Sequence, residues 1–277
     1  MPTKLTPENY YSVETDWDYM SFSRFKDFRK CEAAALAQLK GEWTPKRDET
    51  PLLVGNYVHS YFESPEAHQQ FVEAHKGKMI SSRGKTAGKL KKDYKSADTM
   101  IKVLEDDELF NYVYRPGEDG KEVIVTGTIG GHPWKGKIDS LNLAEHYFCD
   151  LKTVKAIHDK YWLTDEHEWG NFIQARDYYM QLAIYRELIK QTFGQDFTPY
   201  MFAVSKQDIP DKEGIDFVEE TDEIRLQSAL QEVLDHQDHI WAVMADKAEP
   251  IKCGKCEYCR SRKILDRFVH ACEIEVG

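Results

Sequence analysis

The stretch GKIDSLNLAEHYFCDLKT, Gly136 to Thr153, reads as two strands joined by a short turn. If Ala144 and Glu145 form a two-residue loop, Leu143 pairs with His146, and counting back sets Asp139 opposite Asp150. Directly opposed residues of an antiparallel pair share a face, with Cβ atoms about 4.5–5.5 Å apart. Lys152 lies two residues past Asp150, so strand alternation points it to that same face. Ile138, Phe148, Cys149 and Leu151 supply apolar neighbours. Two facing carboxylates repel, and a divalent cation between them removes the penalty. Carboxylate oxygens suit Mg²⁺, and a neighbouring Lys can orient or deprotonate a water or stabilise charge developing on phosphorus. Phosphodiester hydrolysis is the chemistry such a set fits. A one-residue slip would put the acids on opposite faces, and an exposed charged hairpin would carry the same residues.

Outward from the hairpin, EVIVTGTI (Glu122–Ile129) is β-branched and extended, and Gly130–Gly131 turns it into the strand from Trp134 to Leu143. With His146–Thr153 these strands form a β-meander. Apolar spacing predicts helices over Ser21–Leu39, Leu52–Phe62, Ala97–Tyr114, Trp169–Gln191 and Asp222–Lys247, and a short strand over Pro199–Ser205. The expected fold is α/β, a central mixed β-sheet carrying the acidic β-hairpin and flanked by helices. One domain is expected over 1–277, with an N-terminal helix in 15–45, a core in 50–210 and a cysteine-rich tail in 250–277.

The chain has 277 residues, 41% hydrophobic and 31% charged, the balance of a soluble globular protein. No apolar run approaches the roughly 20 residues a membrane helix needs, and the first residues, MPTKLTPENYYSVETD, lack the pattern of a secretory signal. A cytoplasmic protein without membrane contact is expected. The net charge is −11, yet Lys76, Lys78, Arg83, Lys85, Lys89, Lys91, Lys92 and Lys95 crowd one segment in which Asp93 is the only acid. That segment reads as a mobile basic loop or as a solvated linker.

Three of the six cysteines fall in Cys253-Gly-Lys-Cys256-Glu-Tyr-Cys259. A tight turn with this spacing can aim successive sulfurs at one metal centre. Cys272 would close a local site, whereas Cys31 would bridge the two ends of the chain; Cys149, inside a strand, reads as core.

Gly136-x-x-Asp139, ten intervening residues, then Asp150-Leu-Lys152-Thr resembles the core motif of the PD-(D/E)xK nuclease superfamily. The likeness is greatest to RecB-type nuclease domains and to the RecE-like (exonuclease VIII type) exonucleases of phages and prophages. It implies a restriction-endonuclease-like core in which Asp139 and Asp150 bind metal and Lys152 assists the attacking water. Ile138 stands where the family usually has Pro. Gly55-x-x-x-His59 is similar to the family's helix preceding the acidic hairpin, which implies His59 as a further metal ligand and Glu63 as a weaker candidate. Gln181-x-x-x-Tyr185 resembles the motif that follows the Lys, although Gln174-x-x-x-Tyr178 repeats the spacing.

Ser21 to Cys31 together with the tail resembles the iron–sulfur subset of these nucleases. This implies that Cys31, Cys253, Cys256 and Cys259 hold a [4Fe–4S] cluster, with structural Zn²⁺ as the alternative. The activity implied is a Mg²⁺- or Mn²⁺-dependent DNA exonuclease that resects double-stranded ends in phage-type recombination. Its implied partners are a single-strand-annealing recombinase and further copies of itself. Two other readings stand beside it: a CRISPR-associated-type nuclease trimming DNA ends or overhangs, and a metal-stapled DNA-binding module without catalysis.

Overall fold

The structure is a computed structural model that describes residues 2–115, 120–164, 166–265 and 267–273. In chain order the elements are α1 (Val13–Asp18), α2 (Phe22–Lys30), α3 (Glu32–Leu39), α4 (Thr50–Glu63), α5 (Pro65–Met79), α6 (Lys92–Glu105) and α7 (Glu108–Tyr114). There follow β1 (Lys121–Ile129), β2 (His132–Asn142), β3 (Tyr147–Val154), β4 (Tyr161–Leu163), β5 (Glu168–Gly170), α8 (Phe172–Ala175) and α9 (Tyr178–Phe193). The chain continues through β6 (Thr198–Ser205), β7 (Lys212–Asp216), α10 (Glu220–Met244) and α11 (Glu257–Ser261).

Two compact units result: Met1–Phe22 with Arg47–Asp235, and Ser23–Lys46 with His236–Gly277. The larger unit holds a five-stranded sheet in the order β1-β2-β3-β6-β7, together with the separate β4–β5 hairpin. β3 and β6 run parallel and the other neighbours antiparallel, so the sheet is mixed, as the sequence indicated. Helix α9 makes the crossover between β3 and β6, which a parallel pair requires. On one side of the sheet, Val58 and Phe62 of α4, Tyr94 and Met100 of α6, and Phe110 and Tyr114 of α7 bury with Leu151 and Phe202.

Several expected helices are broken. The helix expected over Ser21–Leu39 is interrupted at Cys31, whose extended backbone (φ −169°, ψ 103°) caps α3. The one expected over Ala97–Tyr114 divides at Asp107, whose carboxylate accepts the Phe110 N–H and so starts α7. The Trp169–Gln191 helix is instead β5, α8 and α9, because Asp177 takes a left-handed conformation (φ 59°). The basic segment is not one loop: α5 carries Lys76 and Lys78, and α6 begins at Lys92.

Lys135 is 1% exposed. Its ammonium donates to Tyr10 O, Thr15 Oγ1 and Asp16 Oδ1, which removes the cost of burying its charge. These bonds fix the N-terminal segment on β2, where Met20 bridges Trp134.

Candidate active site and cysteine centre

The register of the acidic hairpin is the one counted from sequence. Ser140 faces Cys149, Leu141 faces Phe148 and Asn142 faces Tyr147, and one further step sets Asp139 opposite Asp150. The turn itself is longer than expected, since the strands end at Asn142 and Tyr147. The Asn142 side chain accepts the N–H groups of Ala144 and Glu145, and His146 takes φ 52°. The side-chain bonds of Asn142 thus replace backbone pairing over the last step without changing the register.

Beyond Ser140 and Cys149 the strand pairing stops. Asp139 Oδ2 instead accepts the Leu151 N–H at 2.7 Å. The carboxylate takes the place of a ladder carbonyl and lies against the neighbouring strand. His59 Nδ1 stands 3.4 Å from the same oxygen. Helix α4 brings His59 there, with Gly55, one turn earlier, facing Thr153 of β3, whose Oγ1 an added Cβ would meet at 3.4 Å, an ordinary contact.

Asp150 is 2% exposed, and its Oδ2 lies 2.6 Å from Lys152 Nζ. Its Oδ1 accepts from Gln181 Nε2 at 3.2 Å, and Gln181 also donates to the Tyr185 hydroxyl at 3.0 Å. Gln181 and Tyr185 therefore reach the site through Asp150. Gln174 of the alternative motif completes a capping box with Asn171. Its partner Tyr178 does reach the site, with Lys152 Nζ 4.9 Å from its ring centre. Gly136 gives Tyr185 its room: an added Cβ would lie 3.1 Å from that ring and 3.2 Å from Val125.

One residue of the cluster went unnoticed in the sequence. Ligand atoms of Glu122, His59 and Asp139 all lie within 4.8 Å of one another. In the β1–β2 register Lys121 faces Ser140 and Val123 faces Ile138, which leaves Glu122 beside Asp139. It has a left-handed backbone (φ 50°) and pairs with Lys137 at 2.6 Å. An acid at the head of a strand is common, so only the register could have singled it out.

Charge in this site is poised. Burial raises the Asp150 carboxyl to about 6 against the pull of Lys152. Burial works against the His59 cation too, but Asp139 outweighs it and lifts His59 to about 9. Burial would also raise Asp139, yet His59 and Lys152 hold it below the ordinary carboxyl value. Among the described residues Asp150 Oδ2 accepts no hydrogen bond beyond its ion pair. A buried carboxylate oxygen with spare lone pairs, beside a second carboxylate and an imidazole, fits a divalent cation.

In the smaller unit the Cys31, Cys253, Cys256 and Cys259 sulfurs all lie within 4.8 Å of one another. Cys31 Sγ stands 3.6 Å and Cys253 Sγ 4.0 Å from Cys259 Sγ. Glu32, next to Cys31, fixes this meeting of distant segments by accepting the Ile251 N–H at 2.7 Å and facing His239 Nε2 at 3.1 Å. Cys253 Sγ accepts the Cys256 N–H, and Cys256 Sγ the Cys259 N–H. Burial disfavours the Cys253 thiolate, but such N–H donors outweigh it and bring the thiol down to about 7. Four thiols converging in this way fit a thiolate-bound metal centre. Cys272 is exposed and outside the group.

The mixed sheet, its acidic hairpin and the helices around it define the PD-(D/E)xK class of nuclease folds. Residues 21–262 match the family described as PDDEXK-like domain of unknown function (DUF3799), and the chain belongs to that family. It is similar, at 32% identity over 97% of both chains and with a TM-score of 0.84, to the crystal structure of a candidate exonuclease from Eubacterium rectale. A second structure, SSO0001, aligns at 14% identity over 86% of this chain and 91% of that one, with a TM-score of 0.27 that carries no argument. No curated protein matches the chain. No helix among the described residues is long and apolar enough to cross a membrane.

Proposed function

We propose that this protein is a divalent-metal-dependent DNA exonuclease whose centre is Asp139, Asp150 and Lys152. The observation that carries the reading is the buried Asp150–Lys152 pair beside the Asp139–His59 pair, in a chain of PDDEXK-like family. Asp139, Asp150 and His59 would hold Mg²⁺ or Mn²⁺, with Glu122 in reach of His59 and Asp139. A bound cation supplies neutralisation of the phosphate and of the leaving oxygen. Lys152 places its ammonium where an attacking water and the phosphorus-bound oxygens need a cation. Gln181 and Tyr185 keep Asp150 from rotating. Action on ends, rather than within a strand, is supported by the Eubacterium rectale neighbour described as a candidate exonuclease. Resection of double-stranded ends in phage-type recombination, beside a single-strand-annealing recombinase and as a homo-oligomer, is the setting the RecE likeness supplies. The test is purified protein with Mg²⁺ or Mn²⁺ on linear and on circular duplex DNA. Degradation of the linear form alone is expected, and Asp150→Asn or Lys152→Gln should lower the rate at least about 10²-fold. Undiminished degradation by either variant would remove the assignment.

For the cysteine centre, the iron–sulfur likeness supports a [4Fe–4S] cluster, and Cys-x₂-Cys-x₂-Cys spacing suits one. The separations of 3.6 and 4.0 Å favour the other reading, a single zinc. Tetrahedral Zn–S bonds of about 2.3 Å set sulfurs about 3.8 Å apart. Metal analysis with an absorption spectrum decides: one zinc per colourless chain supports the geometry, and a brown protein holding four irons overturns it.

A further inference from the structure

The sheet opens where Asp139 stands. β2 and β3 pair at Ser140, Leu141 and Asn142 and then part, while β1 holds the other edge of β2. Farther back along β2 the vacated edge is taken by the N-terminal segment. The Met20 N–H donates to Pro133 O at 2.9 Å, and Met20 O accepts the Lys135 N–H at 2.8 Å. Met1–Phe22 belongs to the same compact unit as the sheet, so the chain ahead of Met20 borders the opening that holds the acidic cluster.

This segment is held along its length. The Thr6 N–H donates to Asn9 Oδ1 at 2.7 Å, and the Tyr10 N–H to Thr6 O at 3.0 Å. Thr15 is fully buried, and its hydroxyl donates to Ser12 O at 2.9 Å. The buried Lys135 ammonium ties Tyr10, Thr15 and Asp16 to β2. Releasing the segment would leave that charge buried without partners, which is costly.

The anchor sets two neighbouring rings. Tyr10 is buried. Tyr11 meets it edge-on, ring centres 4.8 Å apart, and Lys137 Nζ stands 5.5 Å from the Tyr11 ring centre. Lys137 pairs with Glu122, which lies with His59 and Asp139. Tyr11 thus stands on the β1 flank of Asp139, whereas Lys152, with Tyr178 beside it, stands on the β3 flank. Fixed from two sides, Tyr11 is still 75% exposed. A lone exposed ring is ordinary on a surface; this one is fixed at the rim of the metal-binding carboxylates. The charges there select what the ring can take. Glu63, Glu122 and Asp139 all act on the Tyr11 hydroxyl, so the rim disfavours a phosphate and admits a neutral base, whose face stacks on an aromatic side chain.

Resting on the nuclease reading above, we infer that Tyr11 is a substrate-binding residue, its ring stacked on the base of a nucleotide flanking the scissile phosphate. The N-terminal segment is then a wall of the active site. Every base has a face to stack, so the contact serves any sequence.

The test is fluorescence anisotropy in an Asp150→Asn background that leaves the DNA intact. The probe is a duplex of 20 base pairs with a single-stranded end of four nucleotides, labelled at the other end. Tyr11→Ala should weaken binding about tenfold, and Tyr11→Phe, which keeps the ring, should bind nearly as the parent does. One abasic residue is then moved through the overhang and the first base pairs. At one position it should cost the parent about tenfold and the Tyr11→Ala protein nothing further, because ring and base are two halves of one contact. Thermal melts check that each variant is folded. In otherwise wild-type protein Tyr11→Ala should raise KM about tenfold with kcat nearly unchanged, as loss of uniform binding does. Undiminished binding by folded Tyr11→Ala would overturn the contact. So would a loss in Tyr11→Phe as large as in Tyr11→Ala, or additive losses at every abasic position. Failure of wild-type protein to cut any DNA with Mg²⁺ or Mn²⁺ would overturn the nuclease reading, while the anisotropy still decides the role of Tyr11.

Discussion

Asp150 and Lys152 form a close buried ion pair, 2.6 Å apart and with Asp150 2% exposed. Removing one partner of a buried pair strands the other charge, which costs about 3–5 kcal/mol. Lys152→Met should therefore destabilise the metal-free protein by about that much above pH 6, measured by urea unfolding, and Asp150→Asn in the same chain should restore most of it. His59 gives a pH signature. Its folded pKa, about 9, lies above the ordinary 6.5, so the folded state binds more protons than the unfolded chain between those values. Stability from His59 is full below 6.5 and is lost as pH rises through about 9. The melting temperature of chelator-treated protein should fall across that window. His59→Gln should flatten the curve, and an equally steep curve in that variant would assign the titration elsewhere.

Elements deliver these residues through contacts that have little slack. β2 carries Asp139 and, three residues earlier, Gly136, whose missing side chain admits the Tyr185 ring of α9. Gly136→Ala should push on that ring, and through Gln181 on Asp150. A loss of about 1–3 kcal/mol is expected from such overpacking, with lower kcat and little change in KM. Tyr185→Leu in the same chain should recover stability more than activity, and simple additivity of the two changes would show that they do not meet. The hairpin was legible in sequence because alternation marks both strands, and the register assumed for an Ala144–Glu145 loop is the one the strands adopt. His59 came only from the likeness of Gly55-x-x-x-His59 to the family's helix, since a His at that spacing is by itself ordinary; in the fold it stands 3.4 Å from Asp139. Helix breaks were not legible. Cys31 and Asp177 sit in runs with helical spacing, and their extended and left-handed backbones answer to tertiary demands: a thiol aimed at three others, and the entry of α9 toward Asp150. Glu122 was equally hidden, since its place beside Asp139 exists only after β1 and β2 pair.

At the scale of the molecule, the smaller unit combines buried apolar residues with four converging thiols. The larger unit buries a long apolar list across both faces of its sheet. Around the four thiols of the smaller unit, the buried cluster among the described residues is Cys31, Ala33, Ala34 and Cys259, with Trp43, Cys253, Cys256 and Tyr258 packed against it. Phe25, Phe28, Leu36, Leu39, Ile240, Val243 and Met244 of the same unit are buried too, yet segments more than two hundred residues apart, such as Cys31 and Cys259, must be brought together at a cost in chain entropy. A metal held by the four thiols would add to this stability, because a metal that binds only the folded site contributes its binding energy to folding. Stripping the thiolate metal, or Cys259→Ser, should therefore loosen the smaller unit first. Hydrogen exchange should accelerate in 23–46 and 236–273 well before it does in the strands that carry Asp139 and Asp150. Circular dichroism should show a partial loss of helix with the sheet signal retained. Uniform acceleration over the whole chain would mean that the two units unfold as one, and unchanged exchange in 23–46 would mean that the thiols carry no structural metal.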